Sequence, residues 1–221
     1  MPKITSVEPQ KGPKRFNIFL DGNFAFGADE DLVVDKRLIP GKEISLDDLQ
    51  QLVKDAEIGK LMERMYRLFN VRQRSEKEVR DYLKNLSFRR KLKGEEKLGE
   101  FIIDTIVQLM KRKGMLDDKQ FATSWMQSRS RKYGPQRIKQ ELYKKGIDRE
   151  IIEEVVSGQR AHTESGEDYS AVAEKLLEKR IDRWKELPQI KQKKKAYEFL
   201  LRRGFDYEEV KNTVENILRK R

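Results

Sequence analysis

The side chains of this sequence whose types and spacing indicate a chemical role are cations grouped along two predicted helices. The stretch from Arg129 to Lys145 holds seven Lys or Arg against one acid, Glu141. The next predicted helix, residues 148–156, holds one Arg against four acids. Near the end of the chain, a basic stretch is again followed by an acidic helix. Clustered Lys and Arg bind phosphates or acidic protein surfaces, so the sequence predicts a polyanionic partner.

Residues that could carry catalysis are nearly absent. The chain has no Cys and one His, His162, which excludes thiolate chemistry, a disulfide framework and metal sites built on Cys or several His. His162 lies in the polar run 157–167, where we predict a solvated loop. Gly94 and Gly99 have the spacing of a phosphate-binding loop, but an acid and an aromatic residue follow instead of Lys and Ser or Thr. We therefore predict no enzymatic activity, no cofactor and no metal site.

Composition and charge divide the chain into two parts. The 221 residues carry a net charge of +11, with 39% charged and 37% hydrophobic side chains, which is too little apolar material for one large compact enzyme core. Residues 1–56 sum to −2 and residues 57–221 to +13, so the basic character belongs to the second part. Neither a run of about 18 apolar residues nor an apolar signal core is present, so we expect a cytoplasmic protein.

The first 56 residues are predicted to form a small β-rich cap with a helix at its exit. Asp21-Gly22 lies between alternating apolar residues and is a strong hairpin signal, so we predict an antiparallel sheet. Pro40-Gly41 predicts a turn, and Ser45 followed by Asp48 predicts the start of the exit helix. The runs rich in β-branched or aromatic residues are 4–8, 15–20, 23–28 and 32–35.

From residue 57 onward, apolar residues recur at intervals of three and four, which indicates about nine helices. Ser75 with Glu78 predicts a capping box at the start of the second of them. Three helices per unit give three-helix units at 57–116, 117–158 and 159–221. The predicted fold is mainly α: an elongated tandem array of three three-helix units preceded by a small antiparallel β-rich segment.

An internal repeat supports the array. The string Leu142-x-x-x-Gly146-Ile147-Asp148 recurs 58 residues later as Leu200-x-x-x-Gly204-Phe205-Asp206. Each copy is typical of a helix that ends on Gly, followed by an apolar residue and an Asp that caps the next helix. In the first unit, a charged insertion at 89–99 is predicted to lengthen the loop before the third helix.

The placement of charge limits how such units could contact nucleic acid. In a helix-turn-helix domain the last helix enters the major groove. Here the last helices begin with Asp and Glu, which would face phosphates, so we do not predict major-groove binding by them. The first and second helices carry the basic faces, which could form a continuous stripe. For any single Lys, a solvated position paired with a nearby Glu is the ordinary interpretation. The aromatic residues that either stack on bases or pack in the core are Trp125, Trp184, Tyr133 and Tyr143.

The run from Leu116 to Asp148 resembles the signature of the RecX family of recombination regulators. That signature begins Leu-Asp-Asp-x-x-Phe-Ala and ends Gly-Pro-x-x-Ile-x-x-x-Leu-x-x-Lys-Gly-Ile. Upstream, Arg72-Gln-Arg74-Ser75 resembles the motif of the family's first unit, and the N-terminal hairpin resembles the extension of members from Gram-positive bacteria. The insertion at 89–99 departs from the family pattern. The matching positions are Asp117, Asp118, Phe121, Ala122, Trp125, Arg129, Gly134, Pro135, Arg137, Ile138, Leu142, Lys145, Gly146 and Ile147.

The resemblance implies a function. RecX-like proteins bind along the groove of the RecA recombinase filament on single-stranded DNA, usually inhibit its ATP hydrolysis and strand exchange, and in some cases bind DNA directly. Most signature positions have a capping or packing role, and the array is compatible with a monomer. The cations expected to contact the filament or DNA are Arg72, Arg74, Arg129, Arg131, Lys132, Arg137, Lys139, Lys145, Lys193, Lys194, Lys195, Arg202 and Arg203.

Two other hypotheses stay open at the level of sequence. In one, the chain binds single-stranded or double-stranded DNA through its basic helical face and needs no RecA. In the other, it is a helical scaffold for an unrelated acidic protein. A steep fall of affinity for naked DNA with salt would favour the first. Tight binding to one protein without DNA affinity would favour the second.

Overall fold

The computed structural model describes residues 1–12, 14–158 and 169–219 of the chain. They form two compact bodies. The N-terminal body contains Met1–Gln73 and Leu83–Met115, and the C-terminal body contains Arg74–Tyr82 together with the described residues of Leu116–Arg221. The predicted loop around His162 lies outside the described residues, except that residues 157 and 158 form the end of a helix.

The N-terminal body begins with a three-stranded antiparallel sheet in the order β1-β2-β3, formed by Ile4–Pro9, Arg15–Leu20 and Asn23–Asp29. The predicted Asp21-Gly22 hairpin is confirmed. Both residues have positive φ, 48° and 80°, as a tight two-residue turn between twisted strands requires. One face of the sheet is buried against the following helices, with Ile18 and Ala28 fully covered.

The predicted strand at residues 32–35 is wrong, because these residues belong to a short helix. Helix α1 spans Glu30–Asp35, and the Asp29 carboxylate caps it by accepting a hydrogen bond from Leu32 N at 2.8 Å. The cap and two acids in the first turn outweigh the β preference of the Val33-Val34 pair.

Helix α2 spans Leu46–Val71 and is the longest helix of the described chain. Ser45 caps it as predicted, since its hydroxyl accepts a hydrogen bond from Asp48 N at 3.1 Å. The predicted boundary at residue 56 lies inside this helix. The exit helix of the cap and the first helix of the first three-helix unit are therefore one continuous element.

Helices α3, Glu76–Leu92, and α4, Glu100–Arg112, follow. The prediction that residues 89–99 form a loop is partly wrong, because the first four of them extend α3 by one turn. The turn after α3 contains Gly94, whose φ of +74° lets Glu95 N donate a hydrogen bond back to Arg90 O at 3.0 Å. The first turns of α3 belong to the C-terminal body and the remainder to the N-terminal body.

The C-terminal body is helical throughout its described part and has one continuous apolar core. Within each predicted three-helix unit, the helices pack on one another through side chains at helical spacing, such as Ile138, Leu142 and Leu200. Its helices are α5 Asp118–Ser130, α6 Pro135–Lys144, α7 Arg149–Gly158, α8 Tyr169–Ile181, α9 Gln189–Arg202 and α10 Tyr207–Arg219, with a 3₁₀ turn at Asp182–Trp184.

The repeated string has the same geometry in both copies. Gly146 and Gly204 have φ values of 77° and 83°, in the left-handed region. The residue after each Gly donates its N–H back to the Leu of the string, from Ile147 to Leu142 O and from Phe205 to Leu200 O. Both helices thus end in the same glycine-dependent motif, which satisfies carbonyls left free at a helix end.

Candidate functional site

A carboxylate at the centre of the signature gathers cations from α5 and α6. Arg129 contacts Glu141 in a bidentate manner, with Nε at 2.9 Å and a terminal nitrogen at 3.0 Å from its two oxygens. Trp125 Nε1 donates to the same carboxylate at 3.0 Å, and Arg137 lies 3.4 Å from it, one turn earlier on α6. Such a pairing fixes the guanidinium in one orientation. Arg129 is therefore a structural cation as much as a surface one.

The pKa values of this pair reflect their contact. The hydrogen bond to Glu141 is the main cause that raises the pKa of Arg129, although burial opposes it. Burial tends to raise the pKa of Glu141, but hydrogen bonds from Arg129 and Trp125 and the charge of Arg129 together lower it below its usual value. Glu141 is therefore charged at neutral pH.

Cations lie over the ring of Trp125, so the ring has no open face on which a base could stack. Its ring stacks on Phe121 at a centroid distance of 5.8 Å. Arg129 lies 5.2 Å and the Lys145 ammonium 4.8 Å from the ring centroid. The Lys145 ammonium also contacts the Glu78 carboxylate of α3 at 2.5 Å. Trp125 thus anchors packing between helices, and the interpretation of it as core is favoured over base stacking.

Two acids of α7 are paired with lysines of the same three-helix unit. Lys139 contacts both oxygens of Glu153 at 2.6 and 2.8 Å, and only 13% of its side chain is exposed. Lys119 contacts Glu154 at 2.6 Å. The acidic face of α7 is therefore paired with α5 and α6, and Lys139 has little charge left to offer a partner.

The end of α6 joins the start of α3 through a polar contact. Ser75 is fully buried; its hydroxyl donates to Lys145 O at 2.7 Å and accepts from Glu78 N at 3.3 Å. The hydroxyl half of the predicted capping box is therefore confirmed, and the Glu78 side chain reaches Lys145. Lys77 Nζ donates to Lys144 O at 3.2 Å.

The end of α9 joins the start of α6 in a similar way. Gly134 N donates to Arg203 O at 2.9 Å, and Gln136 N donates to Gly204 O at 3.1 Å. The Arg203 guanidinium donates to Lys132 O at 2.7 Å and lies 4.7 Å from the ring centroid of Phe199. The starts of α3 and α6 thus each receive the C-terminal turn of the corresponding helix of the next three-helix unit. We call these two contacts the joints.

The remaining predicted cations differ in exposure. Lys193 lies 3.7 Å from Glu215 and near the Tyr197 ring, while Arg74 is half-buried at the start of α3. Arg72, the residue after α2, belongs to the N-terminal body and is exposed. Of the cations predicted to contact the filament or DNA, those of the C-terminal body that are exposed, apart from Arg137 and Lys193, are Arg131, Lys132, Lys194, Lys195 and Arg202.

Sequence analysis did not include a second group of cations, which lie in the N-terminal body. They line a groove of about 340 Å³ between α2 and the end of α3. The signal that could have found them is the placement of Lys60 and Arg64 one helical turn apart, together with the basic run at the start of the insertion. The groove cations are Lys60, Arg64, Arg89, Arg90 and Lys93.

Residues 1–12, 14–158 and 169–219 offer neither a candidate metal site nor a candidate membrane span. In that part of the chain, no group of three or more His, Asp or Glu side chains is placed to hold a metal ion. None of the described helices combines the length and apolarity that crossing a membrane requires.

Known protein families match this chain along most of its length. Three family models match: the regulatory protein RecX N-terminal domain over residues 2–45, the RecX second three-helix domain over residues 117–156, and the RecX third three-helix domain over residues 167–214. The second of these covers the Glu141 cluster and Gly134 of the α6–α9 joint.

Individual proteins give the same result. The regulatory proteins RecX of Staphylococcus aureus strains JH9 and Newman are each 31% identical to this chain over 213 residues, which is 95% of this chain and 72% of theirs. A crystal structure of regulatory protein RecX has a TM-score of 0.74 at 24% identity and covers 98% of this chain and 100% of its own. The crystal structure of RecX from Lactobacillus salivarius has a TM-score of 0.59 at 24% identity, over 72% of this chain and 95% of that chain. The structures establish the fold, and the sequence matches establish that this chain belongs to the RecX family of regulatory proteins.

Proposed function

We propose that this chain is a non-enzymatic, cytoplasmic regulator of homologous recombination that binds the RecA filament on single-stranded DNA and inhibits its ATPase and strand exchange. The observation that carries the proposal is membership of the RecX family over 95% of the chain. No catalytic group is required for this role, since occupying the filament is sufficient to change its turnover. A monomer would suffice.

The contacts of the C-terminal body favour particular cations for the filament interface. Lys139, Lys145 and Arg203 are held by intramolecular partners, so they serve mainly the packing of the helices. Exposed cations without a carboxylate partner in the described part of the chain have more charge available to a phosphate or an acidic surface. Among the predicted cations of the C-terminal body, these are Lys132, Lys194, Lys195 and Arg202.

The test is RecA ATPase on single-stranded DNA, titrated with the full chain. The interface variant changes Lys132, Lys194, Lys195 and Arg202 to Glu. A control variant makes the same change in net charge on exposed cations of the N-terminal body that belong to neither the interface nor the groove: Lys11, Lys54, Arg112 and Lys113.

We expect the wild-type chain to inhibit turnover at concentrations that leave naked DNA unbound. The interface variant should need about tenfold more protein for the same inhibition, because four exposed charges are reversed, while the control shifts by about twofold or less. Circular dichroism of both variants should match the wild type. Equal shifts of both variants would show that net charge, and not this surface, governs the effect.

The competing hypothesis is DNA binding without RecA. It predicts that ATPase changes only at concentrations where bare DNA is already covered. Binding of the wild-type chain to the same DNA without RecA, measured in parallel, separates the two hypotheses. Inhibition that tracks bare-DNA coverage would overturn the filament proposal.

A further inference from the structure

The groove in the N-terminal body is strongly basic and its cations come from two helices. Lys60 and Arg64 lie one turn apart on α2, and Arg89, Arg90 and Lys93 lie at the end of α3 and in the turn after it. Glu95 is the one acid among the groove's lining residues in the described chain. Five positive charges around about 340 Å³ create a potential that attracts an anion.

Most of this charge is not neutralised within the protein. Arg90 forms an ion pair with Glu57 of α2, which fixes the end of α3 against α2. Arg89 donates only to Asn85 O of its own helix, at 3.4 Å. Within residues 1–12, 14–158 and 169–219, no carboxylate lies within 4 Å of the charged groups of Lys60, Arg64, Arg89 and Lys93. An anionic ligand would supply the missing counter-charge.

A second hollow of about 350 Å³ shares Lys60 and Arg90 with the groove. Strand β3 contributes Phe24, Phe26 and Gly27 to its lining; Phe26 is buried, whereas the Phe24 side chain is 60% exposed. The Phe24 ring is held edge-on against Phe19, with centroids 6.0 Å apart. An exposed ring that packs edge-on against one neighbour thus borders the groove cations.

This combination identifies the ligand class. An acidic protein surface would need the cations but not the ring. Single-stranded nucleic acid uses both, because its backbone follows a basic groove while its unpaired bases stack on aromatic side chains. Arginine forks also match phosphate oxygens in a bidentate manner.

We propose that this groove is a binding site for a single strand of nucleic acid, with backbone phosphates on the four unpaired cations and a base on Phe24. The site shares no residue with the cations on which the proposed function rests. The proposed single-strand site can therefore be tested independently of RecA binding.

The test is fluorescence anisotropy of a labelled 15-nucleotide oligo-dT with the full chain at low salt. The groove variant changes Lys60, Arg64, Arg89 and Lys93 to Glu, and the control variant defined above reverses the same number of charges on the same body. We expect the dissociation constant for oligo-dT to rise about tenfold more in the groove variant than in the control variant. Equal weakening by the two variants would overturn the proposal.

A neutral change tests the ring separately. Phe24→Ala leaves the charge unaltered and removes an exposed side chain, so the fold should be retained. We expect about fivefold or greater loss of oligo-dT affinity, which is the lower range for one stacked base. Unchanged affinity would overturn the stacking part of the proposal.

If the groove variant loses binding to poly-glutamate while oligo-dT binding is retained, the groove is a surface for acidic protein and the proposal is wrong.

Discussion

At the scale of single residues, the Glu141 carboxylate brings together three donors of the signature. It accepts hydrogen bonds from Arg129, Trp125 and Arg137. We expect Glu141→Gln to lower the free energy of unfolding of the C-terminal body by about 1–2 kcal/mol, because a charged acceptor is lost while its donors stay half-buried. Urea denaturation followed by Trp fluorescence is the measurement, since both Trp residues lie in this body. Glu198→Gln, on the exposed face in the middle of α9, is the control and should change stability by less than about 0.5 kcal/mol.

The same pair has a pH dependence whose sign follows from the lowered pKa of Glu141. The folded state holds the carboxylate charged more strongly than the unfolded state does. The stabilisation is therefore complete above the unfolded pKa of about 4.3 and is lost as pH falls through the lower folded pKa. The stability gap between wild type and Glu141→Gln should be constant near neutral pH and should narrow below about pH 4. A stability difference between wild type and Glu141→Gln that widens in acid would contradict the lowered pKa of Glu141.

Sequence analysis succeeded for residues with local roles and failed for residues with distant partners. Ser45 and Gly146 act on backbone within a few positions, so their roles in capping and turning helices could be predicted. The partner of Lys145 is 67 positions away, at Glu78. No periodicity in the sequence indicates which of many acids a given Lys will meet. The list of candidate cations therefore mixed structural and exposed side chains.

At the scale of elements, the two glycine-terminated helices allow a matched test of the joints. Gly146 and Gly204 share a left-handed conformation, so alanine costs about 1–2 kcal/mol at either. A Cβ at Gly146 would meet the Cβ and Cδ of Lys77, both at 2.6 Å, whereas a Cβ at Gly204 would meet the Arg137 backbone nitrogen at 2.3 Å and its Cα at 2.9 Å. Because two of the clashes at Gly204 are with backbone atoms and the nearest is closer, Gly204→Ala should destabilise the C-terminal body more than Gly146→Ala does, as measured by urea denaturation. Equal losses would mean that the α6–α9 joint yields as easily as the α3–α6 joint.

The elements that sequence analysis misplaced lie in the N-terminal body. The pattern at Val33-Val34 favours a strand, but a cap at Asp29 placed just before it starts a helix instead. The charge change at residue 56 suggested a boundary, although charge has no bearing on whether a helix continues through it. In the C-terminal body, Gly146 and Gly204 follow α6 and α9, and Asp117, Asp148 and Asp206 precede α5, α7 and α10, so those ends were predicted correctly.

At the scale of the whole molecule, the net charge of +11 makes any DNA affinity depend on salt. For naked single-stranded DNA, each lost phosphate contact should reduce the slope of log affinity against log salt by about 0.7. If the groove and the C-terminal interface both hold DNA, the groove variant and the interface variant should each reduce the slope and the combined variant should reduce it by their sum. A slope changed by the groove variant alone would confine direct DNA contact to the N-terminal body.

The joints use two different surfaces, a helix start and a helix end, so the same contact could in principle add further copies without limit. Helix α9 does not offer this contact in the same form. The position equivalent to Gly134, 58 residues later, is Gln192, which lies inside α9 and not at its start. Its N–H donates within α9 to Pro188 O at 3.0 Å, and its side chain donates to Leu187 O at 2.7 Å. The backbone donor that α6 gives to its neighbour is thus already used inside α9, so the contact that links α6 to α9 is not repeated by α9 itself.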